Sequence, residues 1–362
     1  MAAGQRDWDD CRADDPDRSI AACTRILQGR GEAASKRAEA YNNRADAWTH
    51  KGDNDRAIAD LDEAIRLNAT EALYYNNRGV GWRAKGDNDH AIADFTEAIR
   101  LDPKNAKAHY NRGDSWIEKG DGDSAIADYS EAISLEPTSA RYYAARGIAW
   151  RAKGDLDRAI ADYTEAIKID PNYALAYNNR GIAWRVKGDR ERAIADYSQA
   201  IRLDPKFAAA YNNRGIAWSG KGDLERAIAD YNEAIRLDPK HPTYWYSRCW
   251  ARAMANRELQ QALADCNEAL RLRPDDAQIM GSRGLVYLRL DRLDDSIANY
   301  DTALKINPKL ATSLYGRGIA KLRKGDQANA NADILRAKQI EPNVAEEFAR
   351  YGLTAEAMKM EE

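Results

Sequence analysis

The side chains that most often do chemistry in proteins are scattered along this sequence of 362 residues. The histidines are His50, His90, His109 and His241, and they do not cluster at metal-ligand spacing. Gly79, Gly81 and Gly86 match part of a phosphate-binding loop, but no strand is predicted before them. The serines lack a nucleophile-elbow motif, and no carboxylate pair stands apart as acid and base. The sequence therefore predicts no enzyme activity, no metal and no cofactor.

The charge balance disfavours nucleic-acid binding, and the hydropathy disfavours a membrane span. The chain has 55 basic and 58 acidic residues, for a net charge of -3, whereas a nucleic-acid binder usually carries an excess of Lys and Arg on one face. No stretch approaches the roughly 20 apolar residues that cross a bilayer. We expect neither nucleic acid nor a membrane span.

A repeat organises most of the chain. Tryptophans recur every 34 residues at Trp48, Trp82, Trp116, Trp150, Trp184 and Trp218. Glycines recur at the same interval at Gly79, Gly113, Gly147, Gly181 and Gly215. Such a period indicates an array of small identical structural units.

The segment 174–207 illustrates one unit. Tyr177, Gly181 and Trp184 are four and three residues apart, so one helical face carries them all. Gly188 can end this helix in the left-handed conformation, and the aspartate after it can cap the next helix. That second helix has an apolar stripe and stops before Pro205. Each unit is predicted to be a helix-turn-helix.

This unit resembles the tetratricopeptide repeat, in a bacterial type with YNNRG, KGD, AIADY and AIRLDP segments. The resembling positions are Tyr177, Gly181, Trp184, Ala193, Tyr197, Ala200 and Pro205. The resemblance implies an all-α protein, an α-solenoid in which antiparallel helix pairs form a right-handed superhelix. It also implies a protein that binds other polypeptides.

The resemblance divides the chain into three parts. Residues 1–37 are expected to form a degenerate N-terminal cap, with a second helix over 19–27 and Cys11 on the helix before it. Nine units follow, at 38–71, 72–105, 106–139, 140–173, 174–207, 208–241, 242–276, 277–310 and 311–344. Residues 345–362 are expected to hold a capping helix, predicted over 345–360.

Arginine recurs where the family usually has an apolar residue, at Arg44, Arg78, Arg112, Arg146, Arg180, Arg214, Arg248, Arg283 and Arg317. Aspartate recurs on the second helices at Asp60, Asp94, Asp128, Asp162, Asp196, Asp230, Asp265 and Asp333, with Asn299 in one unit. The pattern favours a structural ladder of Arg-Asp pairs between packed helices. The alternative is a functional anion track.

The four cysteines occupy informative positions of the resembled repeat. Cys249 replaces the small residue of a first helix, and Cys266 replaces the facing aromatic residue of the second. Cys23 takes that aromatic position in the opening unit, with Cys11 on the helix before it. The resemblance therefore allows two disulfides, Cys11–Cys23 and Cys249–Cys266, or four reduced cysteines packed as small apolar residues.

The redox state of the cysteines bears on location. Paired cysteines would indicate an exported, periplasmic protein whose leader has been removed, and reduced cysteines a cytoplasmic one. The N-terminus shows no apolar leader segment, but a mature protein would begin in the same way.

In the resembled family the first helices line a concave groove, and three sets of residues fall at its inward positions. The first is a row of asparagines, Asn43, Asn77, Asn111, Asn179 and Asn213. Their amides could bind a peptide backbone, or they could tie helix to helix. The second set is Arg83, Arg151 and Arg185, which would favour acidic segments. The third is an aromatic patch that includes Tyr246, Trp250 and Tyr315, a composition typical of interfaces.

These residues favour a non-catalytic scaffold or adaptor that binds a peptide segment of a protein partner in the groove. Two alternatives are a self-assembling structural solenoid and a substrate-recruiting partner of a separate enzyme. We expect a monomer or a weak homo-oligomer.

Overall fold

The computed structural model describes residues 4–29, 31–350 and 352–354. Within these ranges all the regular elements are α-helices, and the chain divides into two compact units, Met1–Ala176 and Tyr177–Glu362. The helices are α1 (Gln5–Cys11), α2 (Pro16–Gln28), α3 (Ala34–His50), α4 (Asn54–Leu67), α5 (Ala72–Ala84), α6 (Asn88–Leu101), α7 (Ala106–Glu118), α8 (Gly122–Leu135), α9 (Ala140–Ala152), α10 (Leu156–Ile169), α11 (Ala174–Val186), α12 (Arg190–Leu203), α13 (Ala208–Gly220), α14 (Leu224–Leu237), α15 (Pro242–Ala255), α16 (Leu259–Leu272), α17 (Ala277–Arg289), α18 (Leu293–Ile306), α19 (Ala311–Arg323), α20 (Gln327–Ile340) and α21 (Val344–Ala349).

The helices pack as successive antiparallel pairs, which confirms the predicted class of fold. In the first compact unit α3 pairs with α4, and α5 with α6; in the second, α13 pairs with α14, and α15 with α16. The first helices of successive pairs also contact each other directly, as α5 contacts α7 and α15 contacts α17. Within each compact unit, we call the exposed surface that these first helices share its first-helix face.

The turn inside each pair follows from two adjacent residues. Gly154 has a φ of +83°, a left-handed conformation that glycine adopts without a Cβ penalty. The side chain of Asp155 then accepts a hydrogen bond from the backbone N–H of Arg158 at 3.0 Å and caps α10. Where the Gly-Asp pair is missing, other residues take the left-handed conformation: Asn256, Glu258 and Asp291. These residues have a Cβ, so those turns are strained.

The packing inside a pair depends on a small residue that faces a large one. A Cβ added at Gly147 would lie 2.7 Å from Cε1 of Tyr163, whose side chain is fully buried. Where the small residue is larger than glycine, the residue that faces it is smaller than tyrosine. The first repeat has Ala45 instead of glycine, and there the facing residue is the smaller Leu61.

Replacing Gly147 with alanine should therefore destabilise the protein by about 1–3 kcal/mol, because the new methyl group overlaps the Tyr163 ring. The matched control is Gly122→Ala on α8, where the nearest side-chain atom is Cγ of Lys153 at 3.6 Å. That change should leave stability equal or slightly higher. Urea unfolding followed by circular dichroism measures both variants, and equal midpoints would contradict the packing argument.

The recurring arginines and aspartates form the predicted ladder. Nε and Nη2 of Arg146 donate to the two carboxylate oxygens of Asp162 at 2.9 and 2.8 Å. Nη1 of the same arginine donates to Oγ of Ser130, on the second helix of the preceding pair, at 3.0 Å. Arg146 thus joins three helices, and Arg112 and Arg214 form the same set of bonds with their own neighbours. Arg283 keeps the arrangement with Asn299 in place of aspartate.

The structure brings together, at disulfide distance, both cysteine pairs that the resemblance allows. Cys11 is disulfide-bonded to Cys23, with their Cα atoms 4.8 Å apart, and Cys249 to Cys266, with a Cα separation of 5.4 Å. All four residues are buried. The first bond joins α1 to α2, and the second joins α15 to α16, the two helices on either side of the strained turn at Asn256.

The two ends of the array differ from the regular units. At the N-terminus, α1 and α2 pack on each other, and α2 covers the predicted helix 19–27. At the C-terminus, α21 ends at Ala349, and Gly352 has a φ of +71°. The predicted helix over 345–360 is therefore shorter among the residues that the structure describes. Residues 355–362 lie outside them.

Candidate peptide-binding site

The asparagine row lies between first helices. At three places an asparagine of one first helix donates its side-chain N–H to the side-chain oxygen of an asparagine in an earlier first helix. The side-chain bonds between successive first helices are Asn77 to Asn42 (2.9 Å), Asn111 to Asn76 (3.0 Å) and Asn213 to Asn178 (2.9 Å). Asn179 accepts from Asn178 at 3.5 Å, and Asn43 approaches Sγ of Cys11 at 3.9 Å. This geometry favours the tie between helices, and peptide binding by the row stays a prediction.

The asparagine ladder ends at α15. Ser247 stands where the next donor asparagine would be, and its side chain is too short to replace it. The buried Oδ1 of Asn212 consequently has no hydrogen-bond partner among the described residues. An unsatisfied buried acceptor is unfavourable and marks a place where a ligand donor would be stabilising.

The three predicted arginines have different surroundings. Nη1 of Arg83 donates to Oδ2 of Asp114 at 2.6 Å. Arg151 and Arg185 form no ion pair with the acids that the structure describes, and the buried Nε of each has no partner there. Two of the three therefore keep a positive charge that no described acidic residue neutralises.

Tyr246 and Trp250 line two adjoining cavities on the first-helix face of the second compact unit. One cavity, of about 310 Å³, extends from Trp250 toward Ser282, Thr312 and Phe348. The other, of about 490 Å³, extends toward Ile216, Ser219 and Tyr231. Trp250 stands where the preceding unit has Ile216, and Tyr246 where it has Asn212. The cavities thus occur where the repeat pattern breaks.

Helix α21 forms one wall of both cavities. Glu347 lines each of them, and its carboxylate is half-buried and forms no ion pair with a described residue. Burial, together with the charge of Glu341, raises the pKa of Glu347. Phe348 packs edge-on against Tyr315, with ring centroids 5.0 Å apart, and Tyr315 is only 3% exposed. As a peptide contact, Tyr315 stays a prediction that requires α21 to move.

Sequence reasoning missed two candidate residues, Asp114 in the first compact unit and Glu347 in the second. Asp114 was detectable, because most other repeats have valine or isoleucine at its position. Glu347 was not, since its location depends on how α21 folds back against α19 and α20. Within the described ranges no group of His, Cys, Asp and Glu could hold a metal ion, and no helix is both long and apolar enough to span a bilayer.

The fold and this face define a class of protein, the α-solenoids built from helical hairpin repeats. The family profile described as "Tetratricopeptide repeat" matches residues 11–72, 83–140 and 178–242, just over half of the chain, and a second profile, "TPR repeat", matches 149–184 and 284–325. The chain belongs to the tetratricopeptide repeat family. Membership places it among protein-interaction scaffolds.

Solved structures share this fold. The chain of "APC/C hetero-tetramer Cut9-Hcn1" has a TM-score of 0.57 at 16% identity, over 93% of this chain and 80% of that one. A tetratricopeptide repeat protein from Parabacteroides merdae has a TM-score of 0.56 at 19% identity, over 69% and 98% of the two chains. MamA is 30% identical over 45% of this chain and 95% of its own, with a TM-score of 0.42. A search of the curated proteins gives no match.

Proposed function

We propose that this protein is a non-catalytic adaptor that holds a peptide segment of a partner on its first-helix face, around Trp250 and Tyr246. The observation that carries the proposal is the pair of adjoining cavities that share these two rings. Their volumes, about 310 and 490 Å³, fall in the range of sites that enclose a small ligand or a few peptide side chains. Buried aromatic anchors of this kind dominate the energy of many protein interfaces.

The polar groups around the cavities support a peptide as the ligand. The buried Oγ of Ser219, which lines the larger cavity, forms no hydrogen bond of good geometry to a described residue. The Oδ1 of Asn212, on the same helix α13, is also unsatisfied among those residues. A peptide backbone presents both N–H donors and C=O acceptors, so it could satisfy a hydroxyl and an amide oxygen together.

The cysteines support a location for this binding. Structural disulfides persist in oxidising compartments and are rare in the cytosol of most organisms. Two buried disulfides therefore favour an exported protein, and we place its proposed partner in the periplasm.

The test is selection of random displayed peptides on the full-length protein, followed by fluorescence anisotropy with the selected peptides. Trp250→Ala should weaken their binding about tenfold or more, because it removes the ring that both cavities share. The matched control is Trp184→Ala. That tryptophan also lies on a first helix, but it stacks with Arg192 at 4.1 Å and lines neither cavity.

Equal losses in the two tryptophan variants would place the binding elsewhere or attribute it to general destabilisation. Failure to select any peptide would contradict the proposal as a whole. Circular dichroism of both variants establishes that each retains its helices before binding is measured.

A further inference from the structure

The chain contains one carboxylate that shows how an acid can be held on the first-helix face. Asp114 lies on α7, where the neighbouring repeats have Val80 and Ile148. Arg83, from the preceding repeat, donates to its Oδ2 at 2.6 Å, and the hydroxyl of Tyr129 donates to its Oδ1 at 2.8 Å. An arginine and a tyrosine from successive repeats thus bind the two oxygens of one carboxylate.

The same arrangement recurs three repeats further along without the acid. Arg185, Ile216 and Tyr231 occupy the positions of Arg83, Asp114 and Tyr129. Ile216 supplies no carboxylate, and Arg185 keeps an unpartnered buried Nε among the described residues. Burial raises the pKa of Tyr231, and the positive charge of Arg185 opposes that rise.

This unfilled position adjoins the proposed binding site. Ile216 and Tyr231 both line the larger cavity, together with Trp250. Arg190 and Arg350 line it as well, and Glu347 is the single acid among its described lining residues. A ligand carboxylate placed here would meet an arginine and a tyrosine while a neighbouring apolar side chain entered the cavity.

Arg151 provides a second position of similar chemistry, in the first compact unit. Its buried Nε and the buried hydroxyl of Tyr163 both have no hydrogen-bond partner among the described residues. Burial raises the pKa of Tyr163 to about 12, and the adjacent Arg151 guanidinium limits the rise. This arginine and this hydroxyl, each with a buried atom that no described residue satisfies, are again suited to an acidic group.

We infer that the partner segment is acidic, and that a carboxylate of the partner binds between Arg185 and Tyr231 as Asp114 binds between Arg83 and Tyr129. The inference rests on the proposed function and specifies the chemistry of its ligand. We assign a carboxylate rather than a phosphate because the internal occupant of the equivalent position is a carboxylate. An acidic peptide is therefore the favoured partner over nucleic acid.

The experiment uses the full-length protein and a short labelled peptide of glutamate, leucine and serine, with a counterpart in which glutamine replaces glutamate. Fluorescence anisotropy should show about tenfold tighter binding of the glutamate peptide. Arg185→Met should remove most of that preference. Ile216→Asp should do the same while keeping the arginine, because it recreates the internal carboxylate of Asp114.

One further variant should act in the opposite direction. Glu347→Gln removes a like charge from the wall of the larger cavity, so it should strengthen binding of the glutamate peptide. This variant introduces no charge into the fold, so it still tests the inference if Ile216→Asp fails to fold.

Equal binding of the two peptides, or weaker binding by Glu347→Gln, would overturn the inference. Displacement of the glutamate peptide by an equal concentration of oligothymidylate would overturn it in favour of nucleic acid. If library-selected peptides bind and Arg185→Met does not change their affinity, the inferred preference for an acidic peptide is wrong, but the proposal of peptide binding is still supported. If neither selected nor acidic peptides bind, both proposals are wrong.

Discussion

Replacing Arg146 with methionine should lower the free energy of unfolding by about 3 kcal/mol or more, because it leaves Asp162 buried without its partner. The Asp162 side chain is only 8% exposed and accepts two hydrogen bonds from Arg146. Removing one member of a buried pair is far more destabilising than removing an exposed pair. Urea unfolding followed by circular dichroism measures the loss.

If Arg146 and Asp162 form a structural pair, the stability losses of their two single substitutions should not add in the double variant. The double variant Arg146→Met, Asp162→Asn should be more stable than Arg146→Met alone, since it no longer buries an unpaired charge. The matched control is Lys153→Met, which breaks an exposed ion pair with Asp123 and should cost under about 1 kcal/mol. Losses that simply add in the double variant would contradict a structural pair and leave the anion track as the explanation.

Removing the second disulfide should have the next largest effect. Cys249→Ala with Cys266→Ala should destabilise the protein by about 3 kcal/mol, because the bond closes a chain segment with a sequence separation of 17 residues. The turn inside this segment is the one where Asn256 and Glu258 are both left-handed. Without the bond, we expect α15 and α16 to exchange their amide hydrogens sooner than the neighbouring pairs.

The first disulfide provides the control. Cys11→Ala with Cys23→Ala releases α1 from α2 and should leave hydrogen exchange in α15 and α16 unchanged. Intact mass measured with and without reductant first establishes that both bonds are present in the purified protein. Unaltered exchange in α15 after loss of the second bond would contradict its proposed role.

The repetitive part of the structure could be predicted because each turn and each packing contact is encoded by residues within one repeat, and the same residues recur in other repeats. Gly154 and Asp155 encode their turn without help from distant residues. Gly147 and Tyr163 pair in size within one hairpin. The pairing of Cys249 with Cys266 could be predicted for the same reason, since these two residues occupy facing positions of one repeat.

The candidate site was less predictable because it depends on contacts between repeats and with the C-terminal end. The position of Asn77 suggested a peptide contact, but its amide donates to Asn42 of the preceding repeat. Tyr315 was expected at an accessible surface and is covered by Phe348 of α21. Neither contact follows from helical periodicity, which fixes the face of a residue and not what packs on that face.

We propose that a partner peptide occupies the first-helix face beside Trp250, and site-specific photo-crosslinking tests this binding most directly. A benzophenone amino acid is placed at Thr312, an exposed residue of α19 that lines the smaller cavity, or at the exposed Thr302 of the second helix α18. We predict that a selected peptide crosslinks at position 312 and not at position 302. Crosslinking at 302 with none at 312 would contradict the account.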